Sequence, residues 1–322
     1  MLTLAQPPIG WWPLAWAAYV PFIIAGVGDY KLFKVCLIAY IVSVIYWLGN
    51  LYWLSYVTVA GWIAFCFYTA LLWPILVIGL RWCGRKKVPL ILAAPILIVG
   101  IENAQGLFLG GFYWAHLSHS QYANTLITQI ADIFGAAGVS FLVAMVNGAI
   151  AELFIVRRRL LNVCSVAIAC AAIAGTLVYS HYRIEQTDRF VTDGPIIAAV
   201  QTNVPQSVKE SFAAEQQLLN VLVRQSEQCV KSGAKLIVWP ETMVQAIIEP
   251  QVLQLLDESH QYQVFNKTIS NMAGQGIYIL TGAYGGSPRI EENFDIRMAE
   301  KFNSAFLYTP AVSYTHLTLP TN

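Results

Sequence analysis

A chain of 322 residues with 57% hydrophobic and 11% charged side chains is not composed like a soluble domain, in which about a quarter of residues are charged. A mean hydropathy of +0.56 excludes disorder as the main state, and a net charge of +1 offers no basic footprint for nucleic acid. The charge is also segregated, with 13 charged side chains in residues 1–180 and 24 in residues 181–322, so two regions with different solvents are expected.

Crossing a bilayer takes about 20 predominantly apolar residues. Six stretches qualify within a transmembrane domain over 1–182: residues 9–28, 35–56, 59–80, 88–106, 127–156 and 161–180. Lys31 and Lys34 follow the first, Arg81, Arg85, Lys86 and Lys87 the third, and Arg157, Arg158 and Arg159 the fifth. The intervening loops near 49–56 and 106–125 carry no Lys or Arg. Basic loops stay on the cytoplasmic side, so the sixth span should deliver the chain to the outside, and the N-terminus should also lie outside. Met1 has no signal or basic flank before Pro7 and Pro8, which points to a missing earlier span.

Nine of the ten Trp residues precede position 115, several at span ends (Trp11, Trp12, Trp73, Trp82, Trp114), as in an interfacial aromatic belt. Glu102 and Asp132 stand out, because an ionisable group in or beside a span faces a cavity or a partner. His116 and His119 are spaced for a metal, but no third ligand lies near them in sequence, and no metal or other cofactor is expected. The cysteines form no CxxC pair; Cys36, Cys66, Cys83, Cys164 and Cys170 read as small buried hydrophobes.

Beyond Gly194 the periodicity changes. Pro195–Asn203 reads as a buried strand, Phe212–Lys231 as a helix stopped at Gly233, and Lys235–Trp239 as a second strand ended by Pro240. A helix within about Pro250–Ala273 and a strand over Ile277–Ala283 follow. Strand–helix–strand–helix–strand predicts an α/β layered domain with a largely parallel sheet, whose site lies at the carboxyl ends of its strands. Glu241 follows such an end. Partial desolvation there would suit it to act as a general base.

Leu236–Thr242 (LIVWPET) resembles the first catalytic motif of the nitrilase, or carbon–nitrogen hydrolase, superfamily. Behind several spans, it resembles one family in particular, apolipoprotein N-acyltransferase. Gln6–Trp16 is similar to that family's segment leading into the membrane, Gly106–Gln121 to its outer loop, and Gln129–Asn147 to its signature span. Val200–Lys209 resembles the start of its catalytic domain, and Phe302–Tyr308 the strand before its catalytic lysine.

The resemblance implies a polytopic α-helical membrane domain followed by a partial α/β nitrilase-like (αββα sandwich) domain over 194–312. It implies a monomer in the bacterial inner membrane with the catalytic domain outside. The activity implied is transfer of an acyl chain from a phospholipid, through a cysteine thioester, to the N-terminal diacylglyceryl-cysteine of a lipoprotein. Bilayer lipids would be its further partners. Glu241 matches the family's base, with Glu102, Trp114 and Gln206 as weaker substrate-contact candidates.

The chain departs from the pattern after Phe302–Tyr308. The family's Lys-x-x-Leu-Val-Pro-Phe-Gly-Glu type segment, its cysteine strand and its closing span are absent, and Ser313–Asn322 continues no family motif. The expectation is therefore a truncated, inactive chain with a foreign tail. Cys229, Lys267 and Lys301 are poor stand-ins, and Glu210 stands where relatives often have Trp. The alternatives are a membrane-anchored amidase or nitrilase, which would not need the matches in the spans, and a non-catalytic membrane binding or transport protein.

Overall fold

The computed structural model describes residues 1–107, 111–155, 159–203, 212–241, 247–290, 296–311 and 314–318. The chain divides into two compact units, Met1–Val191 and Thr192–Asn322.

The first unit is helical. Its helices are α1 (Val20–Val27), α2 (Leu32–Asn50), α3 (Val59–Thr69), α4 (Leu72–Arg85), α5 (Leu90–Leu107), α6 (Ala131–Ile155) and α7 (Arg159–Glu185). Taking α3 and α4 as one stretch, Val59–Arg85, five segments are long and apolar enough to cross a membrane. The first expected span, 9–28, is not a single helix: a 3₁₀ turn over Trp12–Trp16 precedes the short α1. Pro13 and Pro21 each open one of these pieces, and a ring nitrogen donates nothing to a continuing ladder. The expected 127–156 span is likewise a turn over Thr125–Thr128 followed by α6, which kinks at Gly135 with φ of 63°.

Helices in lipid associate by close packing rather than by hydrophobic drive, and α5 against α6 shows how. A Cβ built on Gly148 would lie 2.3 Å from the Leu90 carbonyl oxygen, so only glycine permits the observed approach. Many large apolar side chains face outward, among them Phe33, Phe154 and Val178, as a lipid-facing surface requires.

The second unit is a mixed α/β layer. Strands β1 (Ile197–Ala199), β2 (Leu236–Val238), β3 (Tyr278–Ile290), β4 (Ile296–Tyr308) and β5 (Tyr314–Thr318) line up in that order. The β1–β2 and β2–β3 pairs are parallel and the β3–β4 and β4–β5 pairs antiparallel. The expected largely parallel sheet is thus half antiparallel, because a long hairpin follows the crossovers. Tyr314–Thr318, within the tail expected to be foreign, pairs with Ser304–Tyr308.

Helices α8 (Phe212–Lys231) and α9 (Gln261–Ala273) supply Leu218, Leu222, Phe265 and Ile269 to one core with Ile237, Ile279 and Phe306. Past the end of α8, Gly233 adopts φ of +88°, the left-handed conformation that closes a helix without a Cβ clash. Cys229 packs half-buried against this core on α8. Tyr308 donates to Asn266 on α9 at 2.7 Å, fixing the last turn of β4 to the helix layer.

Candidate functional site

Each unit holds a polar cluster. In the second, β2 is buried between β1 and β3, and the Trp239 amide continues the ladder to Leu280 at 2.8 Å. The Trp239 indole donates to Ser226 at 2.9 Å, locking the strand end to α8. Pro240 then carries the chain out of the sheet, and Glu241 emerges at the carboxyl end of β2. It is exposed, so the partial desolvation expected from sequence is not realised: the apolar run ends two residues earlier. Its Oε1 accepts a hydrogen bond from the Asn303 side-chain amide. Asn303 stands opposite Tyr284 on β3, and the chain returns to β3 through the Ile247–Tyr284 bridge. The carboxylate is therefore exposed to a reactant yet oriented by a strand, as a base acting on a bound group must be.

The poor stand-ins take other roles. Lys267 lies on α9 and pairs with Glu258 at 3.1 Å, and Lys301 falls inside β4 opposite Gly286. Gln206 and Glu210 lie outside the described residues.

In the first unit the three resemblance segments converge on one network. Glu102, on α5, is 9% exposed; its Oε1 accepts the Leu117 amide at 2.5 Å and it bonds the Ser140 hydroxyl on α6. Ser140 in turn accepts the Ser118 amide at 2.9 Å. Gln6 donates to the Ala115 and His116 carbonyls at 3.3 and 3.1 Å. Trp16 donates to the fully buried Gln121 at 3.1 Å, and Gln121 donates to the Trp12 carbonyl at 3.2 Å. Asn147 donates to Ala15 and accepts from the Tyr19 amide, at 2.9 and 2.8 Å. A buried network of this kind is stabilising only when its members are satisfied, and its product is a fixed loop over 111–121.

That loop displays aromatic rings. Gln105 holds the Phe112 and Trp114 carbonyls at 3.2 and 2.8 Å. Trp114 is 48% exposed and stacks on Phe112, ring centroids 6.2 Å apart, with the Trp53 ring 5.3 Å away. Glu102 thus anchors the loop, while Trp114 offers its open face.

His116 and His119 stack at 5.2 Å and 6°, and no group of three metal-ligating side chains occurs among the described residues. Burial, helped by His119, pushes His116 down to about 4, and burial lowers His119 too. Because the folded state prefers neutral His116, its stability is complete above about pH 6.5 and is lost as pH falls toward 4. At 1.36 kcal/mol per unit this is about 3 kcal/mol. Thermal unfolding of His116→Asn between pH 7 and 4 should be flatter by that amount; an unchanged slope would discard the assignment.

Asp132 finds its partners on α7, Arg183 at 2.8 Å and the Tyr179 hydroxyl at 2.9 Å. Sequence reasoning missed Glu152, which is 3% exposed on α6 and accepts the Leu90 amide and the Ser165 hydroxyl. It gave Gln6, Gln121 and Asn147 only as ends of resembling segments, with no role, and missed Asn303. The only available signal was a polar residue inside an apolar or strand-like run.

Residues 1–149, which carry the whole loop network, match the apolipoprotein N-acyltransferase N-terminal domain. A relative from Geobacter metallireducens named apolipoprotein N-acyltransferase is 28% identical over 96% of this chain and 59% of its own length. Over residues 1–149 the chain is thus similar to the apolipoprotein N-acyltransferase family. Relatives of the same name from Shewanella oneidensis and Rhodopirellula baltica are 32% and 29% identical over 59% and 76% of this chain, and 36% and 46% of their own lengths. The chain therefore spans between about a third and three fifths of these relatives. The buried polar residues of the loop network and the aromatic loop all fall within the N-terminal-domain match, and Glu241 lies beyond it.

Proposed function

We propose that the chain provides the membrane domain and the first part of the catalytic domain of an apolipoprotein N-acyltransferase, with Glu241 as its general base. In this reading Glu241 accepts a cysteine thiol proton and the thiolate attacks a phospholipid ester carbonyl. The ester C–O bond breaks, leaving a thioester and a lysophospholipid. The α-amino group of a diacylglyceryl-cysteine then attacks the thioester, the C–S bond breaks, and the thiol is regenerated as an amide forms. A lysine would hold the developing oxyanion.

The observation that carries the reading is the carboxylate at the end of β2, exposed and held by Asn303, within the Leu236–Thr242 motif. The exposed face of Trp114 is suited to contact an acyl chain or headgroup. In this reading Cys229 is not the nucleophile, because it packs half-buried on a helix.

The purified 322-residue chain should therefore transfer no acyl group from phosphatidylethanolamine to a diacylated lipopeptide, while the product of the complete locus should do so. Turnover by the shorter chain would remove the assignment of the nucleophile to a segment outside it.

The catalytic domain is assigned to the outer side of the inner membrane. Membrane-impermeant thiol reagents applied to intact cells should label Tyr122→Cys and Asp193→Cys but not Lys86→Cys or Arg159→Cys, all exposed positions. The opposite pattern would invert the topology.

A further inference from the structure

At the ends of α1, α2 and α4 lies a cavity of about 360 Å³ whose lining includes Asp29, Tyr30, Lys31, Arg81 and Arg85. Arg81 is 7% exposed. Its Nε donates to the Gly26 carbonyl at 2.7 Å and its Nη1 to the Tyr30 carbonyl at 2.9 Å, oxygens at and just past the end of α1. Its Nη2 is buried and has no hydrogen-bond partner among the described residues. Asp29 lines the same cavity, but no ion pair joins it to Arg81 among those residues.

A guanidinium is always charged, and a buried charge without a counter-ion is costly. Two of its nitrogens are held by carbonyl oxygens at and past the end of α1, the third has no partner among the described residues, and the side chain lines a cavity with two more cations. The planar fork of arginine suits a tetrahedral oxyanion. Lys31 and Arg85, both exposed, would meet the same anion from the rim. We propose that this pocket binds a phosphate group with net negative charge, either the headgroup of an anionic phospholipid or free phosphate, with Arg81 at its base and Lys31 and Arg85 at its mouth.

The test uses the whole chain, delipidated in a mild detergent. Native mass spectrometry measures uptake of phosphatidylglycerol against phosphatidylcholine, and thermal unfolding measures stabilisation by inorganic phosphate against chloride at equal ionic strength. Arg81→Gln and the double variant Lys31→Gln/Arg85→Gln should each weaken the anion's binding about tenfold, the scale of one or two charge-assisted contacts. Lys86→Gln/Lys87→Gln, which removes the same charge as the rim double variant just outside the cavity, should change it less than about twofold. Because Arg81→Gln also removes bonds to Gly26 and Tyr30, the rim variant decides the matter if Arg81→Gln fails to fold.

Selective phosphatidylglycerol uptake with this variant pattern supports a lipid headgroup. Stabilisation by inorganic phosphate alone, with the same pattern, supports free phosphate. Equal losses in the Lys86/Lys87 control, or binding untouched in the rim variant, would overturn the proposal.

Discussion

In the product of the complete locus, Glu241→Gln should lower kcat for acyl transfer about 10³-fold, within the range that a positioned general base supplies. Glutamine keeps the shape and can still meet Asn303 but accepts no proton, so the loss isolates the chemical step. The KM for phospholipid should stay nearly constant, because on the proposed reading Glu241 moves a proton rather than holding the lipid. Asn303→Ala should cost about tenfold in kcat, since it frees the carboxylate without removing it, and Asn303→Gln should recover part of that loss. Retention of more than a tenth of wild-type kcat in Glu241→Gln would remove Glu241 from the chemistry.

The second large effect is on stability. Glu152→Ala should destabilise the helical unit by about 3 kcal/mol. The Leu90 amide and the Ser165 hydroxyl lose their acceptor, and so does the Ile91 amide, which reaches Glu152 at 3.4 Å. Each unsatisfied buried donor costs about 1–3 kcal/mol, and the first residues of α5, Leu90 and Ile91, are buried. Glu152→Gln retains an acceptor and should cost about 1 kcal/mol. Asp132→Asn, at a half-exposed pair, should cost less than about 1 kcal/mol. Thermal unfolding in one detergent ranks the three; equal effects at Glu152 and Asp132 would contradict the capping role.

Much of this fold is visible in the sequence because periodicity and composition are local. The helix over Phe212–Lys231 has the expected bounds, and β2 lies inside Lys235–Trp239. The antiparallel half of the sheet was hidden, since β3 runs past Ala283 through Gly285 and Pro288, residues that read as a loop. The breaks in the helical unit follow from Pro13, Pro21 and Gly135, punctuation that a search for 20-residue apolar runs passes over.

The catalytic carboxylate candidate was legible because a motif surrounds it. Its orienting partner was not, because Asn303 lies 62 residues away and meets it only through the register of β4. Glu102 and Asp132 could be singled out as charges in apolar segments, but nothing local says that one anchors a loop and the other an adjacent helix. Glu152 was hidden by its place near the basic cluster that ends its span.

Tyr314–Thr318 covers the last five residues of β4. On the far side of the sheet β1 offers an edge only three residues long. Without the cover, β4 would present free amide and carbonyl groups in register for another chain, the arrangement that invites self-association. Whatever their origin, those five residues act as a molecular selvedge that leaves only a short edge of its own: a protease cut behind Ala311 should raise the tendency of the chain to pair with itself.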